Sequence, residues 1–162
     1  MFKCTCVFLL GAAALCAQPV VATTGMVGLA DAQTAQLNLL NPGVLAPAVG
    51  VVCTAAVQFV DDSGTVLKST TLMVPPGQSR AFQLHSDTDL NLVIAGDRHE
   101  IRAVITIPPI TPASGASTPT PPACKLVATL EIFDTISGRT LVTLGRVVTI
   151  PAVVTPPTTT NP

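Results

Sequence analysis

The chain has no tryptophan and no tyrosine, and its only aromatic residues are Phe2, Phe8, Phe59, Phe82 and Phe133. Recognition that stacks a base or a sugar on an aromatic ring therefore has almost no platform to use. Charge is scarce as well. Charged residues make up 10% of the chain, against roughly 25% in an ordinary soluble domain, and the net charge is −1. No basic field is available to hold the phosphates of nucleic acid or of anionic lipid, so nucleic-acid binding is not expected. There are two histidines, no GxSxG-type nucleophile setting and no paired CxxC of the kind that holds zinc. The sequence gives general acid–base chemistry and metal chemistry few groups to work with.

What the chain does have is Val, Ala, Leu and Ile mixed with Thr, punctuated by 15 Pro and 11 Gly. Branched residues fit a pleated surface, and Pro and Gly break it into short segments, so the composition predicts an all-β protein.

The N-terminus has the layout of a secretory signal peptide. Lys3 supplies one positive charge, Val7 to Ala17 (VFLLGAAALCA) is apolar, and small residues follow. Cleavage is expected after Ala17 or after Ala22, with Ala22 slightly favoured, which leaves one domain beginning at residue 23. The alternative, a membrane anchor, needs roughly 20 apolar residues, and this run has about 11. A lipid anchor on Cys16 is disfavoured because Leu15 precedes it, and no other stretch is long enough to span a bilayer. The expected location is the periplasm, the cell surface or the extracellular space.

Removing the leader takes Cys4, Cys6 and Cys16 with it and leaves Cys53 and Cys124. In an oxidising compartment such a pair is expected to form a disulfide. Each cysteine begins an alternating apolar set: Cys53, Ala55, Val57 and Phe59 in one segment, and Cys124, Leu126, Ala128, Leu130 and Ile132 in the other. Residues two apart share a face of a strand, so both cysteines are predicted to face one core. The alternative is two buried free thiols packed as small hydrophobes.

The same alternation places strands along the rest of the chain. Thr34 to Leu40 reads as a half-buried strand stopped by Asn41-Pro42-Gly43. Val51 to Val60 is apolar on both faces and forms a hairpin with Thr65 to Val74 across Asp61-Asp62-Ser63-Gly64. Arg80 to His85 and His99 to Ile107 follow as amphipathic strands. Cys124 to Phe133 and Arg139 to Ile150 form a second hairpin across Asp134 to Gly138. Phe59 to Gly64 and Phe133 to Gly138 keep the same Phe to Ser-Gly spacing, which either an internal duplication or shared turn chemistry would produce. Pro108 to Pro122 (PPITPASGASTPTPP) is an exposed Pro/Ser/Thr-rich loop, and Val153 to Pro162 is a flexible tail. Seven or eight short strands with regular turns predict an antiparallel β-sandwich of immunoglobulin-like type spanning residues 23–152.

Three segments carry a resemblance to a known family. Asn41-Pro42-Gly43, then Val57 to Val66 (VQFVDDSGTV), then Val74 to Phe82 (VPPGQSRAF) together resemble the bacterial extracellular immunoglobulin-like domains related to cell-adhesion modules. The resemblance covers roughly residues 37–84 and implies an immunoglobulin-like sandwich that works by contact.

The residues that carry chemistry fall mostly in turns. Asp87, Asp89 and Asn91 occupy the first, third and fifth positions of a calcium-loop pattern, but Leu92 stands where Gly is required and Arg98 where a bidentate Glu belongs. An EF-hand is excluded, and a looser calcium site remains as a weak candidate. His99-Glu100 opens like a zinc-protease helix but has Ala103 in place of the second histidine. His85 near Asp87 has no activated nucleophile. Asp61-Asp62, and Asp134 with Glu131, could be imagined as a glycosidase pair, but Asp61, Asp62 and Asp134 sit in or beside hairpin turns, where Asp is favoured for bonding nearby amides. No catalytic residue, metal or cofactor is expected. The expected function is a non-catalytic exported protein of the envelope or extracellular space that acts by surface contact in a structural, adhesion or assembly role. Its partner is a protein or a second copy, with Val51 to Val60 as the sticky element. A carbohydrate- or calcium-binding module and a small secreted hydrolase are the alternatives.

Overall fold

The computed structural model describes residues 19–43, 52–92, 97–108 and 124–149. The expected leader up to residue 18, the Pro/Ser/Thr-rich segment beyond Pro108 and the expected tail at 153–162 lie outside the described residues. Nine strands are described: β1 (Val20–Thr23), β2 (Val27–Ala30), β3 (Gln33–Leu40), β4 (Cys53–Asp61), β5 (Val66–Val74), β6 (Ser79–His85), β7 (Arg98–Ile107), β8 (Lys125–Asp134) and β9 (Thr140–Thr149). Every pairing is antiparallel. One sheet runs β1-β7-β4-β5, with β2 also on β7, and the other runs β6-β3-β8-β9. There is no helix among the described residues, and none long and apolar enough to cross a membrane.

The two sheets close on one core because alternate residues of each strand point the same way. Ala35, Leu37 and Leu39 of β3, and Leu126, Ala128, Leu130 and Ile132 of β8, meet Ala55, Val57 and Phe59 of β4 and Ile101, Ala103, Ile105 and Ile107 of β7. All are buried. Burying a side chain such as Leu130 or Ile105 stabilises the fold by about 1.5–3 kcal/mol relative to leaving it in water. Phe59 stacks on Phe82 of β6 with ring centroids 5.2 Å apart, so one aromatic contact joins the two sheets.

A disulfide joins Cys53 to Cys124, with a Cα–Cα distance of 5.7 Å across 71 positions of sequence. It links the start of β4 in one sheet to the lead-in of β8 in the other, as the shared core-facing register of the two cysteines predicted. In the chain-entropy account a loop of this size contributes about 4 kcal/mol.

β1 and β2 are additions to the sequence reading. Together they lie along β7, with Val20 opposite Ile107 and Val27 opposite Ile101. Thr24 carries the ladder across the gap between them: its amide donates to the Ala103 carbonyl, and its hydroxyl accepts from the Ala103 amide, both at 2.9 Å. Ala22 is part of the core, so folded structure begins ahead of residue 23. The apolar character of Val20 to Ala22 serves a strand edge here.

Asn41 and Gly77 bring two turns together. The Asn41 side-chain amide donates to the Val74 carbonyl at 3.0 Å, and the Gly77 amide donates to the Asn41 carbonyl at 2.8 Å. Gly77 has φ +70, in the left-handed region where a glycine avoids a side-chain clash. The Asn-Pro-Gly and Pro-Pro-Gly segments are thus one junction in space.

Candidate functional site

Apart from His99 and Glu100 of β7, most of the polar residues singled out in the sequence fall into three groups, each with bonds to its own neighbours. The first lies just past β6. Asp89 accepts from the His85 amide at 2.8 Å and from the Lys68 ammonium of β5 at 2.6 Å. Partial burial pushes its carboxyl up, but the His85 amide and Lys68 outweigh this and hold it below the ordinary carboxylate range. Asp87 accepts from the Thr88 amide at 2.8 Å, and Asn91 takes a left-handed φ of 54. The loop is fastened to the fold through Ser86, whose hydroxyl accepts from the Gln33 amide at 3.0 Å. The His85 Nδ1 lies 3.0 Å from the Thr34 hydroxyl, which is itself buried and 2.9 Å from the Thr135 hydroxyl. The weak calcium candidates Asp87, Asp89 and Asn91 therefore belong to a loop whose central carboxylate already holds a cation, Lys68. Among the described residues no three His, Cys, Asp or Glu side chains converge as metal ligands.

The second and third groups are the hairpin turns. Asp61 accepts from the Ser63 hydroxyl at 2.6 Å and from the Thr65 amide at 2.7 Å. The Ser63 bond is the main reason its carboxyl is held low. Asp134 accepts from the Ser137 amide at 2.6 Å and the Ile136 amide at 3.1 Å, and the Ser137 amide is what chiefly lowers it. Each carboxylate caps its own turn in a different sheet. The Phe residues of the shared pattern differ in placement: Phe59 faces the core opposite Ala103, whereas Phe133 follows a register shift and pairs with Thr34 and Thr140. The two hairpins therefore share their turn chemistry and a register shift beside the Phe, but not the burial of that Phe.

His99 and Glu100 lie in strand β7. Glu100 pairs with Arg98 at 3.0 Å. His99 is in register with Leu29, and its Nε2 is buried without a hydrogen-bond partner among the described residues.

The exposed apolar residues are elsewhere than the sequence suggested. In β4, Thr54, Ala56 and Gln58 alternate with the buried residues and Val60 is buried, so Val52 is the described residue of Val51–Val60 that stays exposed as a large apolar group. Val60 is buried although it keeps the regular β4–β7 register opposite Arg102. The β8–β9 hairpin instead exposes Ile136 at 87%, Leu141 at 48% and Val142 at 40%. A legible signal was present in Thr140 to Gly145 (TLVTLG), where adjacent Leu141 and Val142 break the alternation that a covered strand keeps. A shallow cleft of about 180 Å³ opens beside it, lined by Thr23, Thr24, Gly25, Leu144 and Gly145.

Comparison with protein-family models, with curated proteins and with solved structures finds no match for this chain.

Proposed function

We propose that the chain is a non-catalytic, exported module of immunoglobulin-like type that acts by surface contact at the envelope or outside the cell. The observation that carries this reading is the Cys53–Cys124 disulfide, because such bonds persist in oxidising compartments and are rare in the cytosol. The leader agrees with it. Cleavage after Ala17 is the position that leaves β1 whole; cutting after Ala22 would strip Val20 to Ala22 from the edge of β7 and remove Ala22 from the core.

The immunoglobulin-like part of the proposal rests on strand pairing. In that fold the second strand pairs with the fifth and the third with the sixth, in opposite sheets. The pairs β3–β6 and β4–β7 have this relation, with β5 extending the β4 side. β1 and β2 take the place beside β7 that the last strand fills in that fold, and β8 takes the place of the first beside β3. The contact part rests on the apolar residues exposed on the β8–β9 hairpin. The calcium and hydrolase alternatives gain no support from geometry: Asp89 is bonded to Lys68, and Asp61 and Asp134 cap their own turns.

The test is the intact mass and location of the protein in its native cell. The expected result is a chain beginning at Gln18, outside the cytoplasm, without alkylatable thiols. A cytoplasmic full-length chain whose Cys53 and Cys124 react with iodoacetamide would overturn export. Turnover of ester or glycoside substrates by the purified mature chain would overturn the non-catalytic reading.

A further inference from the structure

The start of β1 limits where the mature chain begins. Val20, Val21, Ala22 and Thr23 pair with Ile107, Thr106, Ile105 and Val104 of β7, and Ala22 is 5% exposed within the core. A cut inside this strand would strip the facing backbone groups of β7 of their partners, and native chains keep such groups paired. Leader cleavage therefore belongs ahead of Val20. Of the two expected sites only Ala17 meets this condition, and the residue it uncovers is Gln18, followed by Pro19. Gln18 lies outside the described residues; Pro19 beside it is exposed.

We propose that Gln18 of the mature chain is cyclised to pyroglutamate, so that the exported protein carries no free α-amine. This rests on the export reading with cleavage after Ala17, and adds a modification site to it. The chemistry is contained in one residue. The α-amine nitrogen attacks the side-chain amide carbon Cδ; a bond from nitrogen to Cδ forms, the bond from Cδ to Nε2 breaks, and ammonia leaves with a proton from the amine. The product is a five-membered lactam. No oxidant, metal or co-substrate enters the balance, and because nucleophile and electrophile belong to one residue the step is intramolecular. Asparagine, one methylene shorter, would have to close a strained four-membered ring.

The consequence falls on β1. Chain ends are where proteolysis concentrates, and an exopeptidase that removes residues one at a time starts from the α-amine, which is charged at neutral pH. Only Gln18 and Pro19 stand between that amine and Val20. β1 is 4 residues long and supplies Ala22 to the core, so losing even its first residues uncovers Ile107 and Ile105. A lactam nitrogen is uncharged and gives such an enzyme nothing to hold. The ring closes the chain end that the edge strand depends on.

The test uses the full chain made with its own leader in its native cell and recovered from outside the cytoplasm. Cleavage before Asp31 releases residues 18–30, which contain no lysine, so an uncyclised peptide would have its α-amine as its sole amine. The expected peptide is about 17 Da lighter than the linear sequence, the mass of ammonia, and takes no label from an amine-reactive ester. A synthetic linear peptide of residues 18–30 carried through the same handling should stay linear. Gln18→Asn should give the same cut with a labelled amine at full mass. Treated with an aminopeptidase specific for X-Pro ends, that variant should lose residue 18 while the wild type is untouched. Position 18 precedes β1, so both chains should unfold at the same urea concentration.

A chain that begins at Gln18 with a labelled amine at full mass overturns the proposal and leaves export and the cut site standing. Equal cyclisation of the synthetic peptide also overturns it, by tracing the ring to handling. A chain that begins at Thr23 removes it together with cleavage after Ala17, export still standing, whereas a full-length cytoplasmic chain removes the export reading as well.

Discussion

The two open sides of the sandwich are built from the same material, strand edges, and are finished in opposite ways. On one side β5 faces β6, and a short turn at Pro75 to Gln78 carries the chain directly from one sheet to the other. Lys68 reaches across this side to Asp89 at 2.6 Å and lies 6.0 Å from the centroid of the Phe82 ring, which in turn stacks on Phe59. On the other side β1 and β2 face β9 across a cleft, with Leu144 half-buried and Val142 exposed. A long cation can close a margin because its stem covers apolar surface while its head stays solvated. Short aliphatic side chains at a rim have no polar end to offer water, so the side that carries them leaves apolar surface exposed.

Breaking the link common to both sides should have the largest effect. Replacing Cys53 and Cys124 together by Ala is expected to lower stability by about 4 kcal/mol in urea unfolding, and both margins should then unfold together. A loss confined to a few tenths of a kcal/mol would mean that the disulfide constrains little of the unfolded chain.

The margins themselves should then separate. Phe82→Ala on the closed side removes a ring stacked on the core and is expected to cost about 2–3 kcal/mol, somewhat below the range for a fully buried Phe. Leu144→Ala on the open side should cost about 1 kcal/mol or less, because water already reaches that side chain. Equal losses would show that the open side is packed as tightly as the closed one.

The smallest effect is electrostatic. Lys68→Met should cost under about 1 kcal/mol, as expected for a partly exposed ion pair. Its signature lies in pH. Asp89, Asp61 and Asp134 are all held below the ordinary carboxylate range. Their contribution is therefore complete above about pH 4 and is lost as pH falls through their folded-state values. Removing Lys68 raises Asp89 toward the ordinary value, so the variant should lose less stability on acidification than the wild type. An unchanged acid profile would mean that the His85 amide alone holds the Asp89 carboxylate.

Much of this architecture could be read from the residues. Leu37 and Leu39, Val57 and Phe59, Ile101 to Ile107 and Leu126 to Ile132 alternate cleanly because each strand has one face on the core, and a period of two is visible in a list of letters. The turns were legible for a similar local reason: Asp61 and Asp134 bond amides within four positions of themselves. β1 and β2 were hidden because Val20 to Ala22 serves equally well as the end of a leader and as a strand. Local pattern holds no information on which use prevails; the pairing with β7 supplies it. The stickiness expected of Val51 to Val60 was misplaced for a related reason. Val60 looks outward by alternation, yet it is buried in the folded chain, and covering by neighbours distant in sequence is not visible in a local pattern.

The sequence by itself determined the all-β class, the hairpin turns and the common facing of Cys53 and Cys124, since each depends on side-chain periodicity or on bonds between near neighbours. Only the tertiary structure decided which strands stand at the edges and that Asp89 meets Lys68 across 21 positions of sequence. Those are consequences of how the two sheets are ordered, and strand order is set by contacts between residues far apart in the chain.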